Sequence, residues 1–384
     1  MTTVQALERG PRITAGRFVG WEQNPTSKLE AQAGFSAGPT PPVIRFVLPK
    51  ELEAPGPPER RGLRRDQVKL MVLNRRSGAL IHSRFDRIGD FLREGDLLVF
   101  NDSRTLPALL PGSLADGTAI EVRLARSIGL QGAGKWEALL LPHGGEHEGE
   151  TIWFGSGLSA IVGRRRADLP WLWRLRFNRS GPELLDRIYR AGEPVRYTYV
   201  ADALPLDLYQ TVYAGVPGSV EMPSAGRPFS WEILLDLRRR GIDSAFITLH
   251  TGLSSFRDPV ADGLRLGHKE PYYLSATAAG AINGTRARGG RVIAIGTTVV
   301  RTLETVADAV GSVREDRGVT DLHITGALPL RAVDGLLTGL HEPEASHLDL
   351  LSAFVPPHVL GQAYDEALHN GYLWHEFGDV NLIV

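Results

Sequence analysis

The spacing of apolar residues changes abruptly along this chain, and that change constrains the fold more than any single motif. Between about residues 106 and 200, apolar and polar residues alternate in short segments separated by Gly-rich turns, among them AIEVRLARS, KWEALLL, TIWFG, LSAIVG and LWRLRFN. Such closely spaced segments are typical of a small antiparallel barrel or sandwich. After Tyr209, strand-like and helix-like segments alternate, which predicts a three-layer α/β domain.

Local signals predict several individual elements. The segment VIRFVLP, at residues 43–49, predicts a first strand, and KLMVLNRRSGALIHSRF predicts a hairpin with its turn at Ser77-Gly78. A helix is expected from Ser230 to Arg240, with Ser230 as its N-cap. Residues 1–43 are rich in Gly, Pro, Ala, Thr and Gln, and we expect an N-terminal extension that is poorly ordered or loosely packed.

The composition excludes several classes of chemistry. The 384 residues include no cysteine, so disulfides, thiolate catalysis and cysteine-ligated metal centres are ruled out. The formal net charge of -1 gives no overall electrostatic attraction to nucleic acid. No stretch approaches the roughly 18 apolar residues of a membrane span, and the N-terminus lacks the apolar core of a signal peptide. We therefore expect a cytoplasmic protein with no membrane partner.

Two strand-to-helix turns have the composition of ligand-binding loops. GSVEMPSAGRPFS, residues 218–230, directly precedes the helix that begins at Ser230, and Gly226 within it allows a ligand to approach the backbone. Gly296-Thr297-Thr298 joins the strand RVIAI to the helix VVRTLETVADAV. In an open α/β sheet, ligands bind at such turns beyond the carboxyl ends of the strands. Ordinary connecting loops share this composition, so both interpretations stay open.

Histidines near the ends of predicted strands are candidate bases. His250 lies near the C-terminal end of the strand ITLHTG, and His268 and Glu270 combine an imidazole and a carboxylate in one short segment. Such groups can act as general base and orienting partner, because histidine titrates near neutral pH. Tyr209 and Tyr213 offer an aromatic wall for a base or a sulfonium cation. Burial in a core is the alternative role for each of these residues.

The C-terminal region is rich in side chains that can bind a metal. They are three histidines and three carboxylates: His341, His347, His375, Asp349, Glu376 and Asp379. These donors suit zinc or iron. Their spacing lacks a compact pattern such as H-x-x-x-H, and we therefore predict no metal site.

Taken in order, the motifs resemble one family. They are FDRIGDFLREGDLLVFNDSRTLPA, YQTVYA, GSV with P-S-A-G and F-S, ITLHTG, H-x-E at residues 268–270, RVIAIGTTVVRTLE, LLT with LH-x-P, LLSAF, and F-G-D before LI. The series is similar to the S-adenosylmethionine:tRNA ribosyltransferase-isomerase family of the queuosine pathway, and the similarity extends from Val43 to Val384. So many motifs in a fixed order make chance a poor explanation.

The resemblance implies an α/β catalytic domain with an inserted small antiparallel β-barrel domain. We predict that residues 44–105 and 205–384 form the catalytic domain and residues 106–204 the barrel. The family uses S-adenosylmethionine (SAM) as a ribosyl donor to a 7-aminomethyl-7-deazaguanine in tRNA, without a metal or redox cofactor. In its proposed chemistry, a base removes a proton beside the sulfonium. Adenine and methionine leave, the amine attacks, and the ribosyl group becomes an epoxy-cyclopentanediol.

The same resemblance suggests roles for individual residues. His250, His268 or Glu270 would remove the proton next to sulfur. The residues expected to bind SAM are Tyr209, Tyr213, Ser224, Gly226, Phe229, Thr297, Thr298, His341 and Asp379. Those expected to contact the acceptor are Glu221, Arg227, Asp349 and His375.

Several positions depart from the usual family sequence. GSVEMPSAGRPFS stands where the family reads GSVAAPTAGLHFT, so Glu221, Arg227 and Pro228 replace Ala, Leu and His. His375-Glu376 likewise replaces Phe-Ser, and His347 and Asp349 lie in a helix that is apolar in the family. New charges in a pocket are unfavourable unless they are paired or contact a ligand. One alternative is therefore a divergent paralogue that uses the SAM site on a small-molecule acceptor, without tRNA. A second is a non-catalytic module that binds SAM or RNA.

Overall fold

The computed structural model describes residues 44–128, 134–167, 169–197, 199–253, 269–343 and 345–384. Residues 42–384 form one compact unit. The predicted extension at residues 1–43 and the candidate base His268 lie outside the described residues.

Strands dominate the described ranges. They are β1 (Lys69–Leu73), β2 (Leu80–Arg84), β3 (Leu97–Asn101), β4 (Ser103–Thr105), β5 (Leu109–Ser113), β6 (Ala119–Ser127), β7 (Lys135–Leu141), β8 (Thr151–Trp153), β9 (Ser159–Arg165), β10 (Leu172–Phe177), β11 (Val216–Ser219), β12 (Asp243–Leu249), β13 (Glu270–Leu274), β14 (Val292–Ile295), β15 (Asp316–Thr320), β16 (Gly335–Gly339) and β17 (Val380–Ile383). Nine of them form a mixed sheet in the order β15-β13-β12-β3-β14-β16-β17-β1-β2. Its centre, β12-β3-β14-β16, is parallel.

Helices cover both faces of this sheet. The α-helices of the described ranges are α1 (Gly181–Ala191), α2 (Trp231–Arg239), α3 (Ala276–Ala287), α4 (Thr297–Val306), α5 (Ser346–Leu351) and α6 (Pro357–His369). Short 3-10 turns occupy Lys50–Leu52, Pro58–Arg61, Arg65–Gln67, Phe85–Asp90, Leu206–Tyr209 and Ser224–Gly226. None of the described helices is both long and apolar enough to cross a membrane.

The central strand β3 shows why its sequence, LLVFN, is apolar almost throughout. Leu97 and Val99 point into the core shared with α3, α4 and α6, whereas Leu98 and Phe100 point into the core shared with α2. A parallel strand that is covered on both faces needs apolar side chains at successive positions. The one polar residue of the strand, Asn101, lies at its carboxyl end.

Strands β5 to β10 close into a separate antiparallel barrel, in the order β10-β7-β6-β5-β8-β9. Alternate side chains of β7, such as Trp136 and Ala138, fill its core. Helix α1, which the alternating pattern did not predict, packs Leu184 and Ile188 onto that core. The predicted fold class, an α/β domain with an inserted small barrel, is confirmed. The exact limits proposed for the inserted domain stay a prediction.

A short parallel pair of strands, β4 and β11, connects the large sheet to the barrel. The chain leaves the large sheet through β4 and returns from the barrel through β11, with Ser103 opposite Val216 and Thr105 opposite Ser219. The N–H of Leu106 also donates to the carbonyl of Ser219 at 2.8 Å. This junction holds Ser103 and Ser219 fully buried beside the carboxyl end of β3.

Local predictions succeeded where turn and cap chemistry was clear. Ser230 caps α2 by accepting the N–H of Ile233 at 3.4 Å. Strands β1 and β2 form the expected hairpin, with Gly78 at a φ of 71°.

The predicted first strand at residues 43–49 was wrong, because the described part, from Ile44 to Pro49, pairs with no strand. Two of its apolar side chains pack in the helix-covered core instead: Ile44 is 8% exposed, and the ring of Phe46 lies 5.3 Å from that of Tyr364 in α6, whereas Val47 is 85% exposed.

Candidate active site

Three neighbouring parallel strands end at one edge of the large sheet, and Asn101 connects them. Its buried Nδ2 donates to the carbonyl of Leu249 at the end of β12 (2.9 Å) and to Thr298 Oγ1 at the start of α4 (3.3 Å). Its Oδ1 accepts the N–H of Leu249 at 2.9 Å. Because β12 and β14 flank β3 on opposite sides, this edge is a topological switch point, where open α/β sheets bind ligands.

A chain of hydrogen bonds begins at His250, the residue that follows β12. Its Nδ1 lies 2.7 Å from Ser103 Oγ, which lies 2.6 Å from Ser219 Oγ. Ser219 Oγ accepts the N–H of Thr251 at 3.1 Å. When Nδ1 carries the proton, the imidazole donates to Ser103 and its lone pair is on Nε2. That tautomer is the one a general base requires.

Close backbone packing fixes the imidazole of His250. A side-chain carbon on Gly218 would lie 2.5 Å from both Nδ1 and Cε1 of His250, so this position of the ring requires glycine. Burial lowers the pKa of His250 to about 4. The ring is therefore neutral at pH 7 and able to accept a proton.

The two glycine-containing turns meet at the same edge. Helix α4 begins at Thr297, directly after Gly296, which has a φ of 95°. A side-chain carbon on Gly296 would lie 3.5 Å from Cβ of Ala225, and one on Gly226 would overlap the hydroxyl of Tyr213. Of the predicted SAM-binding residues, the structure thus brings together Tyr213, Ser224, Gly226, Thr297 and Thr298.

Glu270, the third candidate base, is already bound to a cation. Its carboxylate forms an ion pair with Arg301 of α4 and accepts the N–H of Gly252 at 3.4 Å. The bond to Gly252 puts Glu270 beside the segment that follows His250. A carboxylate held by a permanent cation fits an orienting role better than proton abstraction.

Two predicted SAM contacts, Phe229 and Tyr209, lie in packed cores. Phe229 is fully buried, and its ring lies edge-on to Phe100 at 4.9 Å. Tyr209 is 2% exposed and packs against Phe377, with ring centroids 5.4 Å apart. These contacts fit the packing role that the sequence left open for Tyr209.

Asp379 joins two chain segments. One carboxylate oxygen accepts the N–H of Lys69 at 2.6 Å, and the other accepts the N–H of Leu373 at 2.7 Å. Burial raises its pKa above the ordinary range, and these bonds oppose that rise. Asp379 nevertheless lines a small pocket between residues 224–228 and 375–380, together with Ser224.

Two charged residues that differ from the usual family sequence have partners within the chain. Arg227 is 2% exposed, and it donates from Nη2 to Glu59 at 2.9 Å and from Nε to the carbonyl of Leu208 at 2.8 Å. Asp349 Oδ2 lies 3.2 Å from Nε2 of His323. Glu59 thus supplies Arg227 with an opposite charge inside the protein, without a ligand. For Glu221, the backbone carbonyl accepts the hydroxyl of Thr251 at 2.7 Å.

The C-terminal histidines form stacked pairs. The rings of His341 and His347 lie 4.3 Å apart and nearly parallel, and burial lowers the pKa of His341 well below its usual value. His375 stacks on Tyr199 at 4.1 Å, with its Nδ1 3.2 Å from Glu342. In the part of the chain that the structure describes, no three metal-binding side chains are grouped to hold an ion.

Glu376 is a buried acid that the sequence suggested only as a metal ligand. Its Oε2 is buried without a hydrogen-bond partner among the described residues, and it lines the same small pocket as Asp379. Its backbone N–H donates to the hydroxyl of Tyr199 at 3.3 Å. Burial raises the pKa of Glu376 to about 7. The carboxyl group can therefore gain or lose a proton near neutral pH, as acid–base groups in active sites do.

Replacing Glu376 by Gln is expected to stabilise the protein at pH 8 by about 3 kcal/mol and to have little effect at pH 4. The unfolded chain loses this proton near the ordinary pKa of 4.5, whereas the folded chain keeps it up to about 7. The stabilising contribution is thus complete below pH 4.5 and is lost as the pH rises to 7. Urea unfolding at several pH values measures the effect.

The exposed Glu51 provides the matched control for this experiment. Glu51→Gln should leave the pH profile of the free energy of unfolding unchanged. A Glu376→Gln profile parallel to that of the unmodified protein between pH 4.5 and 7 would contradict the assignment.

Sequence reasoning missed Asn101, Ser103, Ser219 and Gly218 as parts of the site. One signal was available, because Asn101 is a polar residue directly after a run of buried apolar ones at the end of a strand. Ser103 and Ser219 gave no such signal. Their side chains meet only because β4 and β11 pair across more than a hundred intervening residues.

The fold and these strand ends define the class of the protein. It is an α/β protein of the enzyme type with an inserted antiparallel barrel, and its polar and ionisable groups converge at a topological switch point. The chain belongs to the queuosine biosynthesis family, because the family model described as "Queuosine biosynthesis protein" matches residues 43–383.

Curated relatives cover most of the chain. It is 38% identical over 346 residues to a protein of Caldanaerobacter subterraneus subsp. tengcongensis and 40% identical over 349 residues to one of Symbiobacterium thermophilum. Both relatives are named S-adenosylmethionine:tRNA ribosyltransferase-isomerase, and each match covers 88% of this chain and 98% of the relative. The resemblance inferred from the motifs is confirmed.

A solved structure supports the same relationship. The crystal structure of an S-adenosylmethionine tRNA ribosyltransferase from Thermotoga maritima superposes with a TM-score of 0.51 at 30% sequence identity. The match covers 89% of this chain and all of that one.

Proposed function

We propose that this protein transfers and isomerises the ribosyl part of SAM onto a 7-aminomethyl-7-deazaguanine in tRNA, with release of adenine and methionine. Two curated relatives are named for this activity, and the match with this chain covers 98% of each of them. The protein thus uses SAM as a ribosyl donor and not as a methyl donor. Because tRNA is the acceptor, the activity belongs in the cytoplasm.

The fixed position of the His250 imidazole at the strand ends is the observation that carries this proposal. Proton removal beside the sulfonium needs a base that is unprotonated before the reaction and fixed in orientation. His250 is buried, held through Nδ1 by Ser103, and packed against Gly218. Glu270 has an orienting role, since Arg301 engages its carboxylate.

The turns at the same edge suit the polar parts of SAM. The N-terminus of α4, with Thr297 and Thr298, supplies backbone N–H groups for a carboxylate or a ribose hydroxyl. Gly226 and Gly296 let the two turns pack closely at this edge, Gly226 against the hydroxyl of Tyr213 and Gly296 against Ala225. The buried carboxyl of Glu376 offers a proton-accepting group for a cationic amine.

No observation favours a small-molecule acceptor over tRNA. That alternative rested on new charges in the pocket segments, of which Arg227 and Asp349 have partners inside the protein, whereas Glu376 Oε2 has no hydrogen-bond partner among the described residues. Arg227 therefore stabilises the fold through Glu59 and does not depend on an unusual acceptor.

Mass spectrometry of the purified protein with SAM tests the function. One reaction contains tRNA bearing the aminomethyl-deazaguanine, and a second contains the same tRNA with an ordinary guanine at that position. We expect adenine and methionine, and a mass gain on the RNA, only in the first reaction. Adenine release without tRNA would contradict the proposal and support a small-molecule acceptor. Intact SAM in both reactions would support a binding module.

A further inference from the structure

The outer face of the barrel carries a strip of positive charge that the overall net charge conceals. Arg174 and Arg176 on β10 and Lys135 on β7 are all exposed. Among the described residues, no carboxylate forms an ion pair with any of these three. Other surface arginines of the barrel domain are paired, for example Arg179 with Glu183 and Arg190 with Asp186.

Strand register places two of these cations directly opposite each other. Arg176 faces Lys135 across the β10–β7 ladder, so both side chains lie on the same outer face. Like charges at directly opposed positions destabilise an antiparallel pair. A polyanion bound across both side chains would relieve that repulsion.

Further cations extend the strip across β7 to β6. Arg174 is opposite Glu137, whose carboxylate is shared by Arg126 at 2.7 Å and Arg166 at 3.1 Å. The strip is defined as Arg126, Lys135, Arg174 and Arg176, of which Arg126 is paired with Glu137.

The strip ends beside the candidate active site. Arg126 Nη1 donates to the carbonyl of Lys269, the residue before Glu270, at 3.1 Å. The carbonyl of Ala125 accepts the N–H of Leu253, three residues after His250, at 3.0 Å. A polymer that lies along the strip thus passes the strand ends that hold His250.

We propose that this strip binds the phosphate backbone of the RNA acceptor and positions the modified base at the active site. The inference rests on the proposed function, which makes RNA the acceptor. Each phosphate that Lys or Arg neutralises releases bound counterions, so binding by the strip depends steeply on salt. An extended row of cations along adjacent strands fits a regular chain of phosphates.

The test is a triple variant, Lys135→Gln/Arg174→Gln/Arg176→Gln, assayed by fluorescence anisotropy with an unmodified tRNA transcript. We expect its dissociation constant to rise by about tenfold or more near 0.1 M salt. The slope of log affinity against log salt should fall by about 3, roughly one for each phosphate that the strip no longer neutralises. SAM binding and the circular dichroism spectrum should match those of the unmodified protein.

A control with the same change of charge is Lys50→Gln/Arg238→Gln/Arg288→Gln, in which all three residues are exposed and lie outside the barrel. It should bind the transcript as the unmodified protein does. If both triple variants bound the transcript equally weakly, the loss would be due to the overall change of charge and not to the strip, and the proposal would be overturned. An unchanged affinity and salt slope in the strip variant would also overturn it.

The experiment separates this proposal from the proposed function. RNA binding is measured without turnover, so the role of the strip in binding can be tested even if the unmodified protein releases no adenine. Where turnover is present, the strip variant should show a higher KM for tRNA and an unchanged kcat. A lower kcat with an unchanged KM would contradict a role in RNA binding.

Discussion

Replacing His250 by Gln is expected to lower turnover by about two to four orders of magnitude while SAM binding stays within about tenfold. Glutamine keeps a polar group of similar reach but cannot accept the proton. The burial that lowers the pKa of His250 keeps the imidazole unprotonated at pH 7. Single-turnover release of adenine, measured at saturating SAM and tRNA, reports the chemical step directly.

The control for this variant is His358→Gln, at an exposed position in α6. It should keep normal turnover. A His250→Gln protein that retains more than about a tenth of normal activity would remove His250 from the role of base, since general base catalysis contributes about 100-fold or more. His268, to which the sequence assigns the same candidate role, would then be the next residue to replace.

Replacing Gly218 by Ala is expected to lower turnover by about 100-fold, although residue 218 carries no reactive group. The added methyl carbon would lie 2.5 Å from the imidazole of His250, so the ring must move. A displacement of about 1 Å at a reacting group can cost on the order of 100-fold in rate. The same single-turnover assay measures the decrease.

Gly215→Ala is the matched control, because its methyl carbon would meet only the carbonyl oxygen of Tyr213, at 3.9 Å. It should have little effect on turnover. The double variant Gly218→Ala/His250→Gln should be no slower than His250→Gln alone, since both changes act through the same ring. Additive effects in the double variant would show that Gly218 acts on something other than His250.

Much of the fold was predictable because it rests on local patterns. Alternating residues in KWEALLL and LWRLRFN predicted the barrel strands. Helix α1 was missed because Leu184 and Ile188, one turn apart, bury only a narrow stripe in an otherwise polar segment. The segment 43–49 was misassigned because apolar residues can be buried by a helix as well as by strand pairing.

The candidate site was predictable only in part. His250 and the turns at Ser224 and Thr297 were found, because each follows a strand or precedes a helix in the sequence. Phe229 and Asp379 were expected to bind SAM, but both side chains already contact other residues of the chain. No linear pattern in the sequence reveals such contacts. Asn101 and Ser103 were missed because their partners, Leu249 and His250, are far away in the chain.

The position of β17 bears on how this protein is made. Residues 380–383 lie inside the large sheet between β16 and β1, and Asp379 bonds to Lys69 across 310 residues of sequence. A ribosome must therefore translate past Ile383 before the amino-terminal hairpin can gain its neighbouring strand. Such long-range pairing is slow and leaves strand edges exposed until it forms. The nascent chain is thus exposed to aggregation for longest at β1, and the barrel, whose strands are close in sequence, can fold first.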